Sequence, residues 1–149
     1  MLMDEDLRIV NVNDAYCKML GYARQELLGK TPLDLATEEF RQYILSHRDH
    51  ILATEYREFE GSLAAKDGRH VPVLIHGNVL RDDQGQVIGN MAFITDMTEH
   101  KKALALAGER ATWQITAVER SAQALRLATS NAAQHGLRNV RFVHGNWFD

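Results

Sequence analysis

Few residues of this chain have both the type and the spacing that chemistry needs. His47 and His50 stand three positions apart, which puts both imidazoles near one face of a helix, where a nitrogen could reach a metal-centred group. A histidine on an apolar helix face is more often a packed, hydrogen-bonded residue, and that is the reading favoured for both. Cys17 is the single cysteine, so no internal disulfide can form, and no CxxC or Cys/His cluster offers zinc ligands. It reads as a small buried hydrophobe. Gly29-Lys30-Thr31 has the ending of a phosphate loop, but Arg24 stands where that motif needs its opening glycine. No Ser, Cys or carboxylate is spaced with a histidine as a nucleophile or acid–base pair.

Bulk properties limit the function further. With 149 residues, 45% hydrophobic and 25% charged, the chain has the composition of an ordinary globular domain. A net charge of -3 provides no basic field for a phosphate backbone, so nucleic acid is not an expected partner. No apolar run approaches the ~20 residues that span a bilayer, and the start of the chain is acidic. A soluble, cytoplasmic protein without membrane contact is expected. Charge is uneven: residues 1 to 102 hold 12 Lys/Arg against 17 Asp/Glu, while residues 103 to 149 hold 5 against 3. The shift falls at the Ala/Leu run opening at Ala103, which predicts a boundary near Lys102.

The elements that would position these residues follow from periodicity. Leu7 to Val12 reads as a strand, followed by a helix capped by Asn13 and ended by Gly21. A short helical turn ends at Gly29. Thr37 then caps a longer helix that presents Phe40, Tyr43, Ile44, His47 and Ile51 on one face. From Glu55 the period becomes two, and the turns at Lys66-Asp67-Gly68 and Asp82-Asp83-Gln84-Gly85 divide the stretch into three strands. In the second, Val71, Val73, Ile75 and Val79 face a core while His70, His76 and Asn78 face away; Pro72 marks an edge or a bulge. Asp96 and Thr98 cap a helix to about Ala107. Beyond it, Trp113 to Val118, Ala122 to Gln134 and Val140 to His144 read as strand, helix and strand of a parallel crossover, with Ala122, Leu125, Ala128 and Ala132 on the helix's inner face.

In this order, the N-terminal elements resemble a PAS domain with its PAC segment. The carriers are Leu7-Arg-Ile-Val-Asn-Val-Asn13-Asp-Ala15, Gly21-Tyr22 with Glu26-Leu27-Leu28-Gly29-Lys30, the two hairpin turns, and Thr95-Asp96-Met97-Thr98-Glu99-His100-Lys101-Lys102. The resemblance implies a first strand at or before Met1 to Met3, expected to be short. It also implies a pocket for a small-molecule ligand, and a coupling role for Asp96 and Thr98 between sheet and helix. Some PAS proteins carry an axial haem ligand in the region of His47, and others bind flavin through an Asn-Cys-Arg motif that Cys17 does not sit in. Neither cofactor is expected.

Residues 103 to 149 resemble the HemK-type release-factor glutamine methyltransferases, which use S-adenosylmethionine on a Rossmann-like sheet. Ala103 to Arg110 is similar to the helix after that family's glycine-rich loop. Gln114 to Glu119 is similar to its second strand, ending in the acid that holds the ribose, and Gly145-Asn146-Trp147-Phe148 to the segment touching adenine. The resemblance makes Glu119, Asn146 and Trp147 remnants of a cofactor site. The D-x-G-x-G-x-G loop has no counterpart before Ala103, and no N-P-P-Y segment is present. Backbone amides of a glycine-rich turn must hold the sulfonium cofactor, so the site is incomplete.

The combined expectation is an α+β chain. A PAS-like antiparallel sheet with helical cover spans residues 1–102, followed by a Rossmann-like βαβ extension over residues 103–149. The expected function is that of a sensory or protein-interaction module without catalysis, in a chimera carrying an inactive methyltransferase fragment. The alternative is a methyltransferase with a regulatory PAS domain. A two-stranded parallel unit has open edges, and this predicts a homodimer.

Overall fold

In the computed structural model of the chain, residues 1–109, 115–119 and 121–145 are described. They form two compact units, Met1–Asp96 and Met97–Asp149.

The first unit opens with β1 (Leu2–Met3) and β2 (Ile9–Asn11), continues through α1 (Asp14–Leu20), α2 (Arg24–Leu27), α3 (Pro32–Leu35), α4 (Glu38–Ser46) and α5 (Arg48–Ala53), and closes with β3 (Tyr56–Ala64), β4 (His70–Arg81) and β5 (Val87–Asp96). Local chemistry sets the helix ends. Asn13 Oδ1 accepts from the Tyr16 amide at 3.0 Å, and Gly21 ends α1 in the left-handed conformation at φ 74°, open to a residue without Cβ. The five strands are antiparallel in the order β2-β1-β5-β4-β3. β1 is as short as expected, yet it lies inside the sheet, bonded to both β2 and β5.

One face of this sheet carries the core. Ile9, Leu63, Val71, Val73 and Ala92 from the strands meet Tyr16, Leu20, Leu27, Leu35 and Phe40 from the helices. Leu20 and Leu27 are fully buried, and each contributes ~1.5–3 kcal/mol by leaving water. Pro72 pairs with Ser62 of β3 but precedes the first β4–β5 pair, Val73 with Asp96, so β4 has a locally open side there.

Two expectations are corrected. The helix after Thr37 is not continuous: His47, at φ -111° and ψ 12°, separates α4 from α5. Its Nδ1 lies 3.0 Å from the Tyr43 carbonyl, which accepts from Ser46 Oγ at 2.9 Å and from the His47 amide at 3.1 Å, so polar side chains gather on a carbonyl in the last turn of α4 at the break. The outer face of β4 is not wholly solvated either, because Leu74 and His76 are buried. Glu58, opposite His76 on β3, has its Oε2 3.0 Å from His76 Nε2, and the Tyr56 ring centroid lies 6.3 Å from the imidazole.

The second unit contains α6 (Thr98–Glu109), β6 (Ile115–Glu119), α7 (Ala122–Gln134) and β7 (Val140–His144). β6 and β7 pair in parallel across α7, from Ile115 with Val140 to Glu119 with His144, giving the expected βαβ arrangement. Ser121 caps α7 through its hydroxyl, which accepts from the Ala124 amide at 3.2 Å. The buried stripe of α7 is Ala124, Ala128 and Ala132, one row at four-residue spacing, whereas Ala122 is exposed in the first turn and Leu125 half-buried. Asn139 Nδ2 donates to the Ala107 carbonyl at 3.2 Å, tying the end of α6 to the approach of β7, and the His100 and Phe142 rings stack at 5.9 Å. No helix among the described residues is long and apolar enough to cross a membrane.

Candidate functional site

The alternation of β3 brings Arg57, Phe59, Gly61 and Leu63 to the face that looks into the first unit. Gly61 is required there by close approach: a Cβ at that position would lie 2.2 Å from Phe40 Cζ, so the aromatic ring of α4 rests directly on the strand backbone. Gly77, opposite Arg57 on β4, plays a milder part, since its missing side chain leaves room for the arginine stem 3.8 Å away.

Behind this face lies a largely apolar cavity of about 90 Å³. Tyr16, Phe40, Ile44, Phe59 and Ile94 form much of its wall, and Arg57 is the one charged side chain lining it among the described residues. Burial pulls the Arg57 guanidinium below its ordinary range. Its Nε donates to the Thr54 carbonyl at 2.9 Å. Burial also pushes the Tyr16 hydroxyl up, with Cys17 adding to the shift, so the phenol stays a neutral donor.

Two further hollows adjoin the cavity. One, of about 260 Å³, is lined by Tyr43, His50 and Thr54 and shares Ile51, Arg57 and Phe59 with the interior. The other is an open groove of about 540 Å³ that shares Tyr16, Ala92 and Ile94 with the interior and reaches Asn13 and Asp96.

The residues singled out in the sequence fall in different places. His47 is the exposed joint between α4 and α5, stacked on Tyr43 at 4.3 Å, and is not part of the cavity wall; His50 lines the outer hollow. Cys17 packs half-buried against the core. Asp96 is the exposed last residue of β5, and Thr98, half-buried, is the first of α6, with Met97 buried between them. Glu119 ends β6 in register with His144 at the end of β7. Asn146 and Trp147 lie outside the described residues, as does Trp113.

S-adenosylmethionine needs a glycine-rich turn between a strand of the parallel sheet and the following helix. Here the strand before α6 is β5, which belongs to the antiparallel sheet, and α6 starts at Thr98 directly after it with no glycine before Gly108. The residues present do not fit that cofactor.

Arg57 was missed by motif reasoning. The signal was available in the period of two, which places this charge in phase with Phe59 and Leu63 on the inward face.

Comparison with known proteins agrees with both halves of this description. A family model described as PAS fold matches residues 1–102. A C4-dicarboxylate transport sensor protein of Rhodobacter capsulatus is 29% identical over 103 residues, 67% of this chain and 16% of that protein. In the C-terminal part, a release factor glutamine methyltransferase of Coxiella burnetii is 49% identical over 45 residues, 30% of this chain. That match, too, covers 16% of the relative, so the chain spans about a sixth of either protein's length. Among solved structures, the PAS domain of a protein from Colwellia psychrerythraea superposes with a TM-score of 0.59 at 17% identity, covering 65% of this chain and 83% of that one.

Proposed function

The chain belongs to the PAS fold family, and from that premise we propose that it acts as a sensory and protein-interaction module with no catalysis of its own. A small molecule sits in the interior cavity of the first unit, and its presence is passed along β5 to the helix that follows. The observation that carries this reading is the position of cavity wall and output joint on one strand. Ala92 and Ile94 line the cavity, and Asp96 ends the same strand immediately before Met97 and Thr98. A displacement of β5 at Ile94 is felt at the place where the backbone turns into α6, which gives Asp96 and Thr98 the coupling role. Haem and flavin do not belong in this picture. A cavity of about 90 Å³ is well below the ~300 Å³ at which drug- and cofactor-sized sites begin, and His47 is outside it. A single cysteine suits a reducing cytoplasm.

The identity to release factor glutamine methyltransferases favours a second reading, an S-adenosylmethionine-dependent methyltransferase regulated by its PAS domain. The junction at β5 and α6 argues against it, since a PAS strand and helix occupy the place of the cofactor's strand and loop. The C-terminal part is then an inactive fragment in an engineered or recombined fusion, with Glu119, Asn146 and Trp147 as remnants. Native mass spectrometry with absorbance spectra of the purified chain tests the first reading: a small, colourless adduct is expected. A stoichiometric chromophore, or retained S-adenosylmethionine, would contradict it.

A further inference from the structure

We propose that the ligand of the interior cavity is a small monocarboxylate with a compact apolar body, entering between α5 and β3 and held by its carboxylate on Arg57. This rests on the reading of the cavity as a ligand site and names the chemistry of what it takes.

Three observations carry it. Ile51, Arg57 and Phe59 belong both to the wall of the interior cavity and to the hollow outside it, so these three residues lie between the two. Long side chains such as these change rotamer without unpairing the sheet. The guanidinium at this place is also under-used. Nε is bonded to the Thr54 carbonyl, but among the described residues Nη1 and Nη2 have no protein acceptor. Planar donors without an acceptor, in partial burial, match a carboxylate in two parallel bonds, the strongest neutralisation available at such a site. The neighbouring acid does not supply it: Glu58 lines the outer hollow with Arg57, but its carboxylate is turned to His76 at 3.0 Å and the Tyr56 hydroxyl at 3.4 Å. The rest of the wall then fixes the other end of the ligand. Beyond Arg57 the cavity presents Phe40, Ile44, Ile75 and Ile94 and no second charged side chain, and the Met1 ammonium at its wall already donates to the Ala92 carbonyl at 3.0 Å, so a second carboxylate has no second guanidinium to pair with. This sets the expected ligand apart from a C4-dicarboxylate, the substance named for the Rhodobacter capsulatus relative.

Calorimetric titration of the full chain with benzoate, the isosteric neutral benzamide, and succinate tests the proposal, with methyl spectra of the cavity isoleucines recorded alongside. Benzoate is expected to bind about tenfold or more tighter than benzamide, the effect of a charge-assisted pair over a neutral one. The preference should vanish in Arg57→Gln and survive in part in Arg57→Lys. Equal binding of benzoate and benzamide to the unaltered chain would overturn the role of Arg57 while leaving the cavity as a ligand site, and this comparison needs no variant to fold. Succinate binding as tightly as benzoate would overturn the apolar body. No binding of any of the three, with the methyl signals of Ile44, Ile51, Ile75 and Ile94 unmoved, would overturn both this proposal and the reading beneath it.

Discussion

Phe40 rests on Gly61 with no space for a methyl group between them, so the contact between α4 and β3 depends on a single hydrogen at the glycine Cα. Gly61→Ala is expected to destabilise the first unit by about 1–3 kcal/mol, the usual cost of forcing extra volume into a packed core, measured as a lowered urea midpoint with an unchanged slope. An unaltered midpoint would mean that the ring swings away freely. Asp34 acts at the surface instead. Its carboxylate accepts from the Thr31 amide at 2.7 Å and from the Thr31 hydroxyl at 2.9 Å, and these bonds hold its pKa below the ordinary 3.8. The ionised form is the one the fold favours, so its stabilisation is complete above that value and is lost as pH falls through the lower value of the folded state. Asp34→Asn should cost about 0.5–1 kcal/mol at neutral pH, a cap-sized effect reduced by solvent screening, and nothing in strong acid; unfolding curves at the two pH values check the difference. What the sequence reveals at this scale is uneven. The caps at Asn13 and Ser121 are legible because a side-chain oxygen and its amide are near in sequence, whereas the hydrogen bond from His76 to Glu58 depends on strand register.

Elements were more legible than residues wherever local patterning decides them. The three long strands, the two turns between them, and α7 fall where alternation, glycine turns and a serine cap place them. The break at His47 was not legible, because the apolar positions on either side keep helical spacing and the His47 amide keeps its bond to the Tyr43 carbonyl, while the change lies in the backbone angles of His47. The interior position of β1 was not legible either: a two-residue strand has no period, and its place between β2 and β5 is a matter of long-range pairing. The first unit nevertheless has its own sheet, helical cover and core. A chain truncated after Ala107 is therefore expected to unfold cooperatively, followed by circular dichroism and tryptophan-free fluorescence in urea. A broad, probe-dependent transition would place part of that core in the tail.

For the whole molecule, the βαβ unit raises the question of what completes it. Its described sheet has two strands, β6 and β7, too few to be stable alone in water. A second copy offers a matching edge through a two-fold axis, so light scattering is expected to give the mass of two chains. A monomer at every concentration with strongly protected tail amides would contradict this. S-adenosylmethionine is expected to bind no tighter than about 10 μM in calorimetry, because no glycine-rich turn stands between β5 and α6.

The interior cavity as the ligand site is tested most directly by isoleucine methyl spectra recorded with and without xenon, a probe that enters small apolar cavities. Ile44, Ile51, Ile75 and Ile94 line the cavity, while Ile9, buried in the core beside it, and Ile88, exposed on β5, do not. The four lining signals should shift together with saturation, and those of Ile9 and Ile88 should stay in place. Unmoved lining signals, or shifts confined to residues outside this set, would contradict a ligand cavity at this position.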